Sequence, residues 1–241
     1  MKKANILYYI ISIVYFSNIN LLFGQTSNDS LSIAKEKAPI TLRFGIDLFL
    51  PVTSQFDDNL NGFEVVGDLR IKENIYLSTE FGSLERTQQS ELINFTSSGS
   101  YVKLGADLNM YKNWTGMNNQ VYLGIRLANS FYKHNINNYV LYRTTRVLEE
   151  EVVSSGYSTG EIPKLNAQWI EFIAGMKVQI LKNTYLGFSI RLNRLLSNID
   201  SENFGILYIP GFNRVTDDNI FGSSFNYTLT YSIPFRWKKS K

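Results

Sequence analysis

No cysteine occurs in the 241 residues. That removes a disulfide framework, a thiolate metal site and a cysteine nucleophile, and it excludes a lipoprotein anchored through an N-terminal cysteine. Histidine is almost absent too, since His134 stands alone. A strong charge bias is also missing: 24 Lys and Arg against 21 Asp and Glu leave a net charge of +3. No basic patch of the kind that tracks phosphates stands out, so nucleic acid is not expected as a partner. Hydrophobic residues make up 44%, too few for a bundle of membrane helices. What is abundant is Tyr and Phe, in a chain that is 14% aromatic, which suits strands and membrane interfaces.

The N-terminus has the layout of a secretory leader. Lys2 and Lys3 are followed by an almost wholly apolar stretch, 6–14, which continues weakly to Phe23. Gly24 is a small residue before Gln25 and marks a cut, with Leu22 an unusual residue at the third position before it. The competing reading is a retained anchor, but Asn18 and Asn20 shorten the apolar span below the ~20 residues of a crossing helix. The expected division is a signal peptide over 1–24, a polar linker over 25–39, a barrel over 40–237 and a basic tail over 238–241.

From Ile40 onward the dominant pattern is alternation, not a helical period. Leu42, Phe44, Ile46 and Leu48 alternate with Arg43, Gly45 and Asp47. Phe63, Val65, Leu69 and Ile71 alternate with Glu64, Asp68 and Arg70, and Ile75, Leu77 and Phe81 with Ser78, Glu80 and Gly82. Val102, Leu104, Leu108 and Met110 face Lys103, Gly105 and Asp107, while Leu123, Ile125 and Leu127 face Gly124 and Arg126. Phe172, Met176 and Val178 oppose Glu171, Gly175 and Lys177, and Leu186, Phe188 and Ile190 oppose Gly187 and Arg191. The last segment sets Phe225, Tyr227, Leu229, Tyr231, Ile233 and Phe235 against Ser224, Asn226, Thr228 and Ser232. Rows of about ten residues match a tilted membrane strand, and membrane backbone must be bonded internally, so such strands close into a barrel.

The fold expected is therefore all-β: a closed, antiparallel, up-and-down transmembrane barrel of about eight strands, with ten open because 133–166 could supply two more. Short turns are expected near Glu73-Asn74, at Lys182-Asn183 and through 112–119. Longer links are expected over 52–61, 83–100, 133–166 and 197–220. Short turns on one side and long loops on the other are the habit of bacterial outer-membrane barrels, and an even strand count puts both termini in the periplasm. Tyr111, Trp114, Phe235 and Trp237 gather where a periplasmic aromatic girdle would lie. The competing architecture is a soluble barrel or sandwich with its apolar face inward, which shows the same period.

Charges recur on the polar face: Arg43, Arg70, Lys103, Arg126, Lys177 and Arg191 against Asp47, Glu64, Asp68, Glu80, Asp107 and Glu171. An eight-stranded barrel has room for little beyond side chains, and isolated buried charge is costly. The expectation is a plugged lumen crossed by an ion-pair network. Most strand glycines share the parity of the polar face, where curvature crowds the inner surface; Gly67 is the exception.

The run from Phe221 to Tyr227 into Tyr231-Ser232-Ile233-Pro234-Phe235 resembles the C-terminal strand of small outer-membrane barrels of Gram-negative bacteria. More narrowly, the chain is similar in layout to an uncharacterised barrel family of the Bacteroidota, with Phe23-Gly24-Gln25 as its leader end. The resemblance implies that Tyr231, Ile233 and Phe235 form the signal read by the barrel-assembly machinery, and that outer-membrane lipid is the surrounding medium. Here Arg236 to Lys241 follow the final aromatic strand, a departure from the usual terminal aromatic. The family implies no activity, and no cofactor is expected.

Chemistry has few footholds. Ser130, His134 and the run Glu149, Glu150, Glu151 carry the residue types of a lipid-modifying hydrolase or acyltransferase, but a triad is defined by geometry, and His134 reads as a loop residue. Asp57-Asp58 and Asp217-Asp218-Asn219 are oxygen clusters without calcium-loop spacing, which reads as solvated turns. The segment 133–166, with Tyr139, Leu141, Val147, Val152 and Val153, either extends two strands as a protruding hairpin able to bind a partner by strand addition or forms a loop. The function expected is non-enzymatic: support of the envelope, or partner binding through outer loops. A narrow pore for small solutes is the alternative.

Overall fold

Successive side chains of a strand point to opposite faces, so each segment above has one charged face and one apolar face. The structure, a computed structural model, describes residues 40–111, 119–142, 150–153, 159–199, 207–214 and 220–235. The expected leader and linker, the turn at 112–118 with Trp114, and 236–241 with Trp237 lie outside the described residues, as do Glu149 and Asp217 to Asn219.

The chain runs through β1 (Ile40–Asp47), a short helix α1 (Phe49–Thr53), β2 (Leu60–Arg70), β3 (Ile75–Gln89), β4 (Ile93–Asn109) and β5 (Gln120–Tyr142). It continues with β6 (Glu150–Val153), β7 (Gly160–Leu181), β8 (Thr184–Asn198), β9 (Tyr208–Ile209), β10 (Asn213–Arg214) and β11 (Phe221–Phe235). Eight of these form the wall in the order β4-β3-β2-β1-β11-β8-β7-β5, and β4 pairs with β5 to close it. Wall neighbours are antiparallel, and β11 seals against β1 from Ile40↔Phe235 to Asp47↔Thr228. The ten-stranded alternative does not hold. β5 continues unbroken to Tyr142, and β6 takes up the pairing to its far end, Tyr139↔Val153 to Tyr142↔Glu150.

The apolar face points outward. Leu104 and Leu127 are 57% and 59% exposed, whereas Arg43, Asp107 and Arg191 are each 2% exposed. A soluble barrel would bury the leucines and wet the arginines, so the inward-apolar alternative is overturned. Glycine and small side chains make room inside. Gly82 is covered by the Tyr101 ring, a close approach that a Cβ would forbid.

Two turns fall where expected. Ile71 and Ile75 are bonded across the β2–β3 turn, and Asn183 adopts φ 62° between β7 and β8, a conformation asparagine tolerates. The long links differ from expectation. Most of 83–100 is strand, since β3 and β4 pair out to Gln89↔Asn94 and turn through 90–92. Likewise β5 and β7 pair up to Ile136↔Gly160. These are tall hairpins rather than loops, because their two strands keep pairing with each other although the outward apolar row has ended.

The β8–β11 link folds back on itself. Its β9–β10 hairpin turns through Pro210 and Gly211, which has φ +86°, a region that favours glycine. Tyr208, Ile209, Pro210 and Phe212 are buried among inward-facing residues of the wall. They form an apolar core with Phe95, Tyr101, Tyr132, Ile136, Leu165, Trp169 and Leu195. The interior therefore has two storeys: charged toward the short turns, apolar toward the tall hairpins.

Candidate functional site

The charged storey is built of two groups of ion pairs, contributed by every wall strand except β11, which supplies amide and hydroxyl groups. At the short-turn end, Arg43 Nε donates to Asp68 Oδ1 at 2.6 Å and Lys177 Nζ to Asp68 Oδ2 at 2.5 Å. The Arg43 guanidinium also reaches Gln120 Oε1 at 2.5 Å and lies 4.7 Å from the centre of the Tyr76 ring, a cation–π arrangement.

In the middle, Arg191 grips Glu80 with Nη1–Oε2 at 2.5 Å and Nη2–Oε1 at 3.3 Å. Arg126 pairs with both oxygens of Asp107 at 2.8 and 3.0 Å, and the Ser78 hydroxyl donates to the same carboxylate at 2.8 Å. Glu171 accepts from Trp169 Nε1 at 2.7 Å and lies 3.1 Å from Lys103 Nζ. Above them, Glu64 accepts from the Tyr101 hydroxyl at 2.8 Å and from Asn226 Nδ2 at 2.9 Å. The same amide donates to Asp47 Oδ1 at 3.1 Å, whose other oxygen accepts the Leu50 N–H at 2.9 Å.

Eleven of the twelve charges read from the sequence are buried in this interior. Arg70 is not among them. It stands at the end of β2 and donates to the Glu73 carbonyl, Nη2–O 2.7 Å, outside the network. Its parity is inward, but the strand ends there and the short turn offers a nearer acceptor. Without Arg70 the buried members of that set are five cations and six carboxylates. Asp47 has no cation within 4 Å among the described residues.

His134 is corrected more sharply. It is not in a loop; it faces inward on β5, 1% exposed, edge-on to Phe95 and Tyr132 at 5.7 and 5.2 Å. Lys133 and Glu161 pair at 2.8 Å on the outer face beside it, which places this level beyond the apolar belt. Burial lowers the imidazole to about 4 because the charged form loses its water. His134 Nδ1 and Ser130 Oγ each lack a hydrogen-bond partner among the described residues, so nothing joins them as a nucleophile and base. Glu150 and Glu151 pair with Tyr142 and Leu141 in β6. Asp57 Oδ1 accepts the Asn59 N–H at 3.0 Å, as an ordinary turn residue does.

Tyr231 and Ile233 face outward. Tyr231 is 46% exposed and stands 6.2 Å from the Phe44 ring, and Ile233 is 36% exposed; Phe235 pairs with Ile40 at the seam.

Sequence reading missed the cap formed by Tyr208, Ile209 and Phe212. Ser97 Oγ holds the Tyr208 carbonyl at 3.0 Å, Phe212 meets Trp169 edge-on at 5.6 Å, and the Arg86 guanidinium lies 5.4 Å from the centre of the Tyr208 ring. The available signal was Pro210-Gly211 between apolar residues, a turn dipeptide that marks a hairpin.

No curated protein matches the sequence. Among solved structures, the chain is similar to Ail, the attachment invasion locus protein of Yersinia pestis. Identity is 10%, the match covers 82% of this chain and 100% of that chain, and the TM-score is 0.41. The model of the domain of unknown function DUF6048 matches residues 6–239, and the chain belongs to that family.

Proposed function

We propose that the protein is a non-conducting β-barrel of the bacterial outer membrane, exported by its leader. Its short turns and termini face the periplasm, and its tall hairpins face outward to support the envelope or bind a partner. The reading is non-enzymatic. The observation that carries it is the interior: ion pairs join opposite walls, from Arg191 to Glu80 and from Lys177 to Asp68, and the Tyr208–Phe212 cap stands above them. Membrane residence is supported by the closure of the strands into a ring and by half-exposed leucines and phenylalanines around it.

Recording across a planar bilayer tests the reading. The purified, folded protein is expected to give no stable conductance. Large, persistent steps would replace it with a pore. Separately, the outer-membrane fraction should contain a band whose gel migration changes on boiling; its absence, with no membrane fractionation, would undo the barrel assignment.

A further inference from the structure

β1 is short, and the wall is incomplete above it. Ile46 pairs with Val65 and Asp47 with Thr228. Beyond these, β2 continues to Leu60 and β11 to Phe221 with no strand between them. The helix α1 covers the notch, and its Phe49 ring meets Phe225 edge-on at 5.4 Å.

Behind the notch lies a cavity of about 450 Å³, within the range of small-molecule sites. Leu60 and Leu84 form an apolar wall, and Tyr208 of the cap also lines it. Asp47, Glu64, Lys103 and Asn226 form its polar end, and Arg86 also lines it. Phe225 lines it as well, although this residue belongs to the outward row of β11 and is 51% exposed. A cavity lined by an outward residue reaches through the wall to the apolar belt.

Lys103 Nζ lies 3.6 Å from Glu64 Oε2 there, so the positive charge is taken up at Glu64 and not at Asp47. Asp47 is 1% exposed, accepts from the Leu50 N–H and the Asn226 amide, and has no cation within 4 Å among the described residues. Glu64 shares that amide. A buried carboxylate without a counter-charge is costly, and a ligand cation would supply one.

We propose that this cavity binds a single-chain amphiphile with an ammonium head, entering sideways from the membrane between α1 and β11. The head meets Asp47, and the chain lies along Leu60, Leu84 and Phe225. The sideways route rests on the membrane reading above; the cavity and its charge do not.

The test uses the full chain folded in phosphatidylcholine nanodiscs, with n-dodecylamine and n-dodecanoate as probes and native mass spectrometry as readout. A boiling-sensitive gel band for each variant reports the barrel separately. One amine per barrel is expected, with at least tenfold higher occupancy than dodecanoate. Asp47→Asn should lower amine occupancy about tenfold, Leu84→Trp should abolish it by filling the cavity, and Glu73→Gln at the short turn should leave it unchanged. If Leu84→Trp gives no folded band, Leu60→Trp tests the same wall. No amine adduct, equal or greater dodecanoate binding, or an adduct that survives filling of the cavity would overturn the proposal.

Discussion

Tyr101 joins the two storeys of the interior. Its ring rests between Gly82 and Gly211, and its hydroxyl donates to Glu64. Tyr101→Phe removes a hydrogen bond to a charged group and should lower stability by about 1.5–3 kcal/mol, read as a shifted urea midpoint of the reconstituted barrel. Arg191 has more at stake, because Glu80 and Glu171 both depend on it. Arg191→Met should cost about 3–5 kcal/mol, since it strands buried carboxylates, and the double variant with Glu80→Met should recover part of the loss. His134 gives a pH signature. Its folded value of about 4 lies below the ordinary histidine value, so between these values the unfolded chain binds the extra proton. Stability should be full above about pH 6.5 and fall by roughly 3 kcal/mol as pH drops toward 4. Unfolding midpoints at pH 7.5 and 4.5 check this, and His134→Leu should remove the difference.

Among elements, the lower strands were legible and the upper ones were not, for a physical reason. Within the belt, apolar residues face out and charges face in. On β5 the apolar row ends at Phe131, which is exposed; then Tyr132, His134 and Ile136 are buried while Lys133 and Asn135 are exposed. The strand continues, but its apolar parity reverses. Trp169 and Leu165 inside, then Phe172 outside, mark the same reversal on β7. Across the top of β3 and β4, Thr87 and Thr96 share a hydroxyl contact at 2.9 Å and the outer face is polar. A reversed or vanished alternation reads as a loop in a linear sequence. The edge of β7 above its pairing with β8 carries Pro163, and Lys164 has φ 63°, features that blunt an exposed edge. The cap can be tested on its own. Phe212→Ala beside Trp169 should cost about 3–5 kcal/mol in thermal unfolding. It should still give no conductance, because the ion pairs below are untouched.

For the whole molecule, closure and a charged interior followed from the sequence; the cap and the notch did not, because both depend on which distant segments meet. The orientation can now be tested with a tool the chain itself provides. It has no cysteine, so a single introduced thiol is the sole label site. Ser90 lies at the β3–β4 turn and Glu73 at the β2–β3 turn, at opposite ends of β3, which spans 15 residues. At ~3.3 Å per residue, β3 measures roughly 50 Å along its axis. Even when tilted it exceeds the ~30 Å hydrocarbon layer, so a barrel embedded by its apolar belt cannot show both turns to one compartment. In intact cells, a membrane-impermeant maleimide should label Ser90→Cys at once and Glu73→Cys only after the outer membrane is permeabilised. The reverse pattern would invert the proposed topology. Immediate labelling of both would remove the barrel from the membrane, and with it the sideways entry route to the Asp47 cavity.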